Sequence, residues 1–102
     1  MEFDFAQLKP QERYKLLTAL VVPRPIAWVT TLNPDGSANA APFSFFNVMG
    51  SDPGVLVISV GNHGRARPKD TAANIKRSGF FVVQMVSEEL AEAMNLTAIE
   101  FP

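Results

Sequence analysis

Three stretches of this sequence carry side chains that could hold a ligand. At Lys69-Asp70-Thr71 a helix is expected to begin, and the free backbone N–H groups and positive dipole end of such a start attract anions. The Lys69 ammonium and Thr71 hydroxyl could converge there on a phosphate, with Arg65 and Arg67 just upstream. The plainer reading is that Asp70 caps the helix and the basic side chains are solvated. The segment Ala41-Pro42-Phe43-Ser44-Phe45-Phe46-Asn47 interleaves aromatic rings with two polar side chains. A planar aromatic ligand needs that combination, an apolar wall with a few hydrogen-bonding groups, although three Phe residues also suit an ordinary core. The third stretch is Thr30-Thr31, hydroxyls near the end of a strand, where threonine is common for structural reasons alone.

Other chemistry finds little support. Trp28 reads as core, and His63, between the glycines of Gly61-Asn62-His63-Gly64, reads as a solvated loop residue with only a weak claim to proton transfer. That loop has the wrong glycine spacing for a dinucleotide fingerprint and lacks the Lys-Ser/Thr of a phosphate loop. No serine triad or catalytic carboxylate pair is identifiable. With no cysteine and a single histidine, disulfides, thiolate chemistry and a multi-histidine metal site within one chain are excluded.

The elements that must position these residues can be read from punctuation and periodicity. Pro10 to Leu20 reads as a helix, with Pro10 in its first turn and an apolar face of Tyr14, Leu17 and Leu20-Val21. Pro23 and Pro25 stop it and force extended backbone around Arg24. Ile26 to Leu32 is rich in β-branched and aromatic residues, as a strand should be. Asn33-Pro34-Asp35-Gly36 is a turn, and Ser37 to Phe46 is expected to return antiparallel as one strand. The small side chains of Ser37 to Pro42 leave room for another object to approach the backbone. After a turn at Ser51-Asp52-Pro53-Gly54 come a strand (Val55 to Val60), a helix from Thr71 to Ser78 ended by Gly79, a strand (Phe80 to Val86) and a last helix capped by Ser87 and running through Leu96. Four strands are few for a closed barrel, and their exposed edges invite pairing.

The chain of 102 residues fits a single domain spanning residues 1–102. It is 47% hydrophobic and 19% charged, as a chain with a real core should be. A net charge of −1 without a basic stripe argues against nucleic acid. No wholly apolar run exceeds four residues, Phe80 to Val83 being one, far below the roughly 20 that span a bilayer. Because Met1-Glu2-Phe3-Asp4 does not start a signal peptide, a soluble, cytoplasmic protein is expected.

Taken in order, several segments resemble the flavin-reductase-like family of FMN-binding split barrels, which includes reductase components of two-component flavin monooxygenases. They are Val22-Pro23-Arg24-Pro25-Ile26-Ala27-Trp28-Val29-Thr30-Thr31, Asp35-Gly36, Asn39 through Asn47, Ser51-Asp52-Pro53, Lys69-Asp70-Thr71, Asn74-Ile75 and Phe81-Val82-Val83. The likeness runs from about Tyr14 to the C-terminus. It implies a mainly β fold with short helices (α+β), an antiparallel split β-barrel that this chain leaves incomplete, since family members are near twice its length. The chain therefore reads as an N-terminal half, with further strands expected after Pro102.

The resemblance also implies a cofactor and its neighbours. FMN would be lined by Thr30 and Thr31 and contacted by Ala41, Pro42, Ser44, Phe45, Phe46 and Asn47, with Lys69 and Thr71 facing its phosphate. The implied activity is hydride transfer from NAD(P)H to flavin, with no protein residue assigned a catalytic role, in a homodimer that could serve a monooxygenase partner. Two alternatives stay open: a non-catalytic FMN-binding module, and a dimeric structural or interaction fragment that binds no flavin.

Overall fold

The structure, a computed structural model, describes residues 1–61 and 70–98. After a 3-10 turn at Phe5–Gln7, helix α1 spans Pro10–Leu20. Its N-terminus is fixed by Glu12, whose Oε1 accepts the Lys9 backbone N–H at 2.8 Å. Four strands follow: β1 (Ala27–Leu32), β2 (Ala38–Phe43), β3 (Phe46–Ser51) and β4 (Gly54–Ile58). Helix α2 (Asp70–Ser78), β5 (Val82–Gln84), a 3-10 turn at Glu88–Leu90 and α3 (Ala91–Thr97) complete the described chain.

Strand β1 is the centre of a three-stranded antiparallel sheet in the order β2-β1-β5. Its side chains alternate between faces: Ala27, Val29 and Thr31 are buried, while Trp28 and Thr30 are half-buried and Leu32 is exposed. Pairing sets Phe43 beside Ala27, Ala41 beside Val29 and Asn39 beside Thr31, so β2 adds to the same inner face. Ala27, Val29 and Phe43 form the core, with Phe46, Ile58, Phe81 and Val83 packed against it. On the outer face the Trp28 indole Nε1–H donates to Thr97 Oγ1 at 3.1 Å, and α3 buries Met94.

The first hairpin turns where the sequence requires it. Asn33 N–H donates to Ser37 O (2.8 Å), Gly36 N–H to Asn33 O (2.9 Å), and Gly36 takes φ +88°, a left-handed conformation that glycine adopts without a Cβ clash.

The expected single strand Ser37 to Phe46 is instead two. The chain bends at Ser44-Phe45, and β3 pairs antiparallel with β4 in a separate two-stranded sheet. The bend lets Phe43 enter the core from one sheet and Phe46, paired with Ile58, pack against it from the other. The Ser59 N–H donates to Phe45 O at 2.9 Å and holds the corner. There are thus five strands among the described residues rather than four.

Elements after β4 differ at their ends. Asp70 is the first helical residue of α2 rather than the residue before it. The Phe80 to Val86 strand shortens to Val82–Gln84, because its pairing with β1 covers only Trp28 to Thr30. The two sheets do not close into a barrel. The radius of gyration is 15.5 Å, against about 13 Å for a closely packed domain of about 100 residues. No helix among the described residues is long and apolar enough to cross a membrane.

Candidate functional site

The bend between the two sheets forms one side of a cleft of about 410 Å³, within the range of small-molecule sites. Ser44, Phe45, Phe46 and Asn47 line it, facing Leu17 of α1 and Val21 just past its end, with Met49 and Val57 from the second sheet and Pro23-Arg24-Pro25 at the join. Four residues expected at a ring-binding site are therefore brought together, and most of their neighbours are apolar.

The polar groups of this cleft have hydrogen-bonding capacity to spare. The Asn47 side-chain carbonyl accepts the Val48 N–H at 2.8 Å, which leaves the amide –NH₂ to donate. Ser44 Oγ accepts from Arg24 Nε at 3.4 Å, so its own hydroxyl hydrogen is available. The Phe45 ring meets Tyr14 of α1 (centroids 5.8 Å apart, planes tilted by 40°) and lies 5.6 Å from the Arg24 guanidinium carbon.

A second group of expected residues lies between the first sheet and α2. Thr31 and Thr71 are both buried. Thr71 Oγ1 accepts from Asn39 Nδ2 at 3.1 Å, and Thr31 Oγ1 from Asn74 Nδ2 at 3.0 Å. Asn74 Nδ2 also donates to Asn33 Oδ1 (2.9 Å), and its Oδ1 accepts from Arg77 Nη1 (3.0 Å). Arg77 further donates through Nη2 to the Leu32 carbonyl. Each threonine is thus an acceptor within the protein and keeps its hydroxyl hydrogen.

The remaining expected residues are dispersed. Thr30 points to the face opposite Thr31, where its Oγ1 accepts from Gln84 Nε2 at 3.0 Å. Ala41 packs against the core, and Pro42 is half-buried in register with Trp28. Both lie on β2, an edge strand of the sheet, where a residue without an N–H costs no ladder bond if that position faces outward. Lys69, Arg65, Arg67 and His63 lie outside the described residues.

Sequence reasoning missed Arg24, Asn39 and Asn74 as site-building residues. Arg24 had one signal: flanking prolines fix its backbone, so its side chain leaves the chain in a set direction. Asn74 had another, since a mid-helix Asn is a poor helix former and calls for a tertiary reason. Away from both groups, the exposed Asp35 carboxylate accepts the Ser37 hydroxyl (2.6 Å) and backbone N–H (2.9 Å). The hydroxyl bond first, then the backbone bond, holds its pKa below the usual carboxylate range.

Residues 19–102 match the family model described as "Flavin reductase like domain". An uncharacterized protein of Aquifex aeolicus is 51% identical over the whole chain, which covers 52% of that relative. Among solved structures, 2-nitrobenzoate 2-nitroreductase NbaA of Pseudomonas fluorescens superposes with TM-score 0.84 at 44% identity, over 99% of this chain and 48% of that one. Nitrilotriacetate monooxygenase component B of Bacillus cereus gives 0.89 at 34% identity, over 100% and 50%. The chain spans about half the length of these relatives.

Proposed function

Because the chain belongs to the flavin reductase-like domain family, we propose that it binds FMN and serves an NAD(P)H:flavin oxidoreductase. The observation that carries this reading is the convergence of Ser44, Phe45, Phe46 and Asn47 on one apolar cleft. The residues present suit a flavin. Phe45, Phe46, Leu17 and Val57 offer apolar walls for a tricyclic ring, and Ser44 and Asn47 keep donors for its heteroatoms.

A flavin, when bound, supplies the two-electron chemistry itself. The protein's share is to hold the ring, exclude water from it and present donors. N–H and O–H donors at Ser44 and Asn47 would favour the negatively charged reduced ring over the neutral oxidised one. The alanines of β2, on an edge strand, leave backbone that a ligand can approach closely. At the other end of β2, Asn39 orients the Thr71 hydroxyl. That hydroxyl, the start of α2 and the preceding Lys69 are the groups we assign to the phosphate.

Two partners belong to the same proposal. Exposed Val48 and Leu56, cross-strand partners on the β3–β4 sheet, favour a homodimer, which sedimentation of the purified protein would reveal. The Bacillus cereus relative is a monooxygenase component, so an oxygenase that consumes reduced flavin is the partner class proposed here.

The test is direct. Purified protein mixed with FMN and freed of excess is expected to retain a yellow flavin spectrum and to oxidise NADH or NADPH above the protein-free rate. Retained flavin that neither donor reduces would point to a non-catalytic binding module. A colourless protein would defeat the reading.

A further inference from the structure

Helix α1 supplies one wall of the cleft, yet none of its residues is buried. It cannot be held there mainly by core packing, so something else must fix it against the corner at Ser44-Phe45. Arg24 is placed to do so. Its Nη1 donates to the carbonyls of Thr18 and Val21, both at 2.9 Å, at the end of α1. Those carbonyls lie at a helix C-terminus, where a cation is favoured by the dipole and orphan acceptors need donors. Its Nε donates to Ser44 Oγ, and its guanidinium faces the Phe45 ring at 5.6 Å, within cation–π range. Tyr14, from the same helix, meets that ring at 5.8 Å.

Three of the five N–H groups of the guanidinium are thus spent inside the protein, on two carbonyls and one hydroxyl. This is the arrangement of a strut. We propose that Arg24 is the positioning residue of the cleft: it joins the end of α1 to Ser44 and Phe45 and so sets the geometry of the wall that receives the flavin ring. The inference rests on the flavin reading for the identity of the ligand, but the strut itself does not. A lysine there would keep the charge and lose the planar fork that reaches two carbonyls and a hydroxyl while lying over the Phe45 ring.

The consequence is a specific pattern of ligand loss. Arg24→Gln should weaken lumiflavin, riboflavin and FMN by the same factor, roughly tenfold, the scale of one lost cation–π or charge-assisted contact. The long-wavelength absorption band of the flavin that still binds should shift, because Phe45 has moved. A merely destabilised protein would lower occupancy without moving the band. Arg24→Lys should behave like Arg24→Gln rather than restore binding.

The experiment is fluorescence titration of the full-length protein and both variants with the three flavins, together with backbone amide NMR spectra of the ligand-free proteins. In the NMR spectra, Arg24→Gln should perturb residues 14–21 and 43–47 and spare α2 and β5. Loss confined to FMN would overturn the proposal and make Arg24 a phosphate ligand. Unchanged affinities, or unchanged amides at 43–47, would overturn it as well. If the unaltered protein binds none of the three flavins, the functional reading fails, and the NMR spectra still decide whether Arg24 is the strut.

Discussion

The side-chain amide of Asn74 on α2 donates to the hydroxyl of Thr31 on β1, at 3.0 Å across 43 positions of sequence. Both residues are buried, and the same amide nitrogen reaches Asn33 at the start of the hairpin turn. One side chain therefore registers the helix, the strand and the turn against each other. Through Asn39 and Thr71 the same interface is tied to the first turn of α2.

Removing that amide strands its partners. Asn74→Ala should cost about 2–3 kcal/mol, because a buried hydroxyl and a guanidinium lose partners together. Urea unfolding with an unchanged m-value is the measurement. A loss below about 0.5 kcal/mol would mean the network carries no stability.

The hairpin turn makes a backbone prediction. Gly36 has φ +88° with nothing within 4 Å of the position an added Cβ would take, and Gly54 has equal space without a left-handed backbone. Gly36→Ala should destabilise by about 1 kcal/mol for conformational reasons alone. Gly54→Ala should stay within about 0.5 kcal/mol. Equal effects in thermal unfolding would show that steric space, not φ, decides both.

Asp35 supplies a pH signature. Its carboxylate is favoured in the folded turn by Ser37, so its folded pKa lies below the unfolded one. The contribution is then present above the ordinary carboxylate range and is lost as pH falls through the depressed folded value. NMR titration of the Asp35 carboxyl carbon should give a midpoint below that of an unstructured aspartate. Ser37→Ala, which removes the largest cause, should move the midpoint upward.

The phosphate assignment is separable from the ring. Lys69→Ala should weaken FMN by roughly tenfold or more, the scale of one charge-assisted contact. Riboflavin, which lacks the phosphate, should be little affected. Equal losses measured by fluorescence titration would remove Lys69 from the phosphate site.

Local order was legible in the chain because its causes are local. Pro10 and the Pro23/Pro25 pair bounded α1, Asn33-Pro34-Asp35-Gly36 set the first turn, and Gly79 at φ +82° ended α2. The ordered motifs from Val22 to Val83 carried the family, and the Ser44-Phe45-Phe46-Asn47 run, read as a mix of rings and polar groups, lies along a cleft in the fold. What the tertiary structure decided was everything that depends on partners distant in sequence. The chain bends at Ser44-Phe45 because Phe43 and Phe46 must enter one core from two sheets, and periodicity within one apolar run cannot register that. Likewise Thr30 and Thr31, adjacent in sequence, part to opposite faces, one bonded to Gln84 and the other to Asn74. Arg24 became a strut only when α1 and the corner met around it, since a long flexible cation takes its role from the acceptors that folding brings within reach.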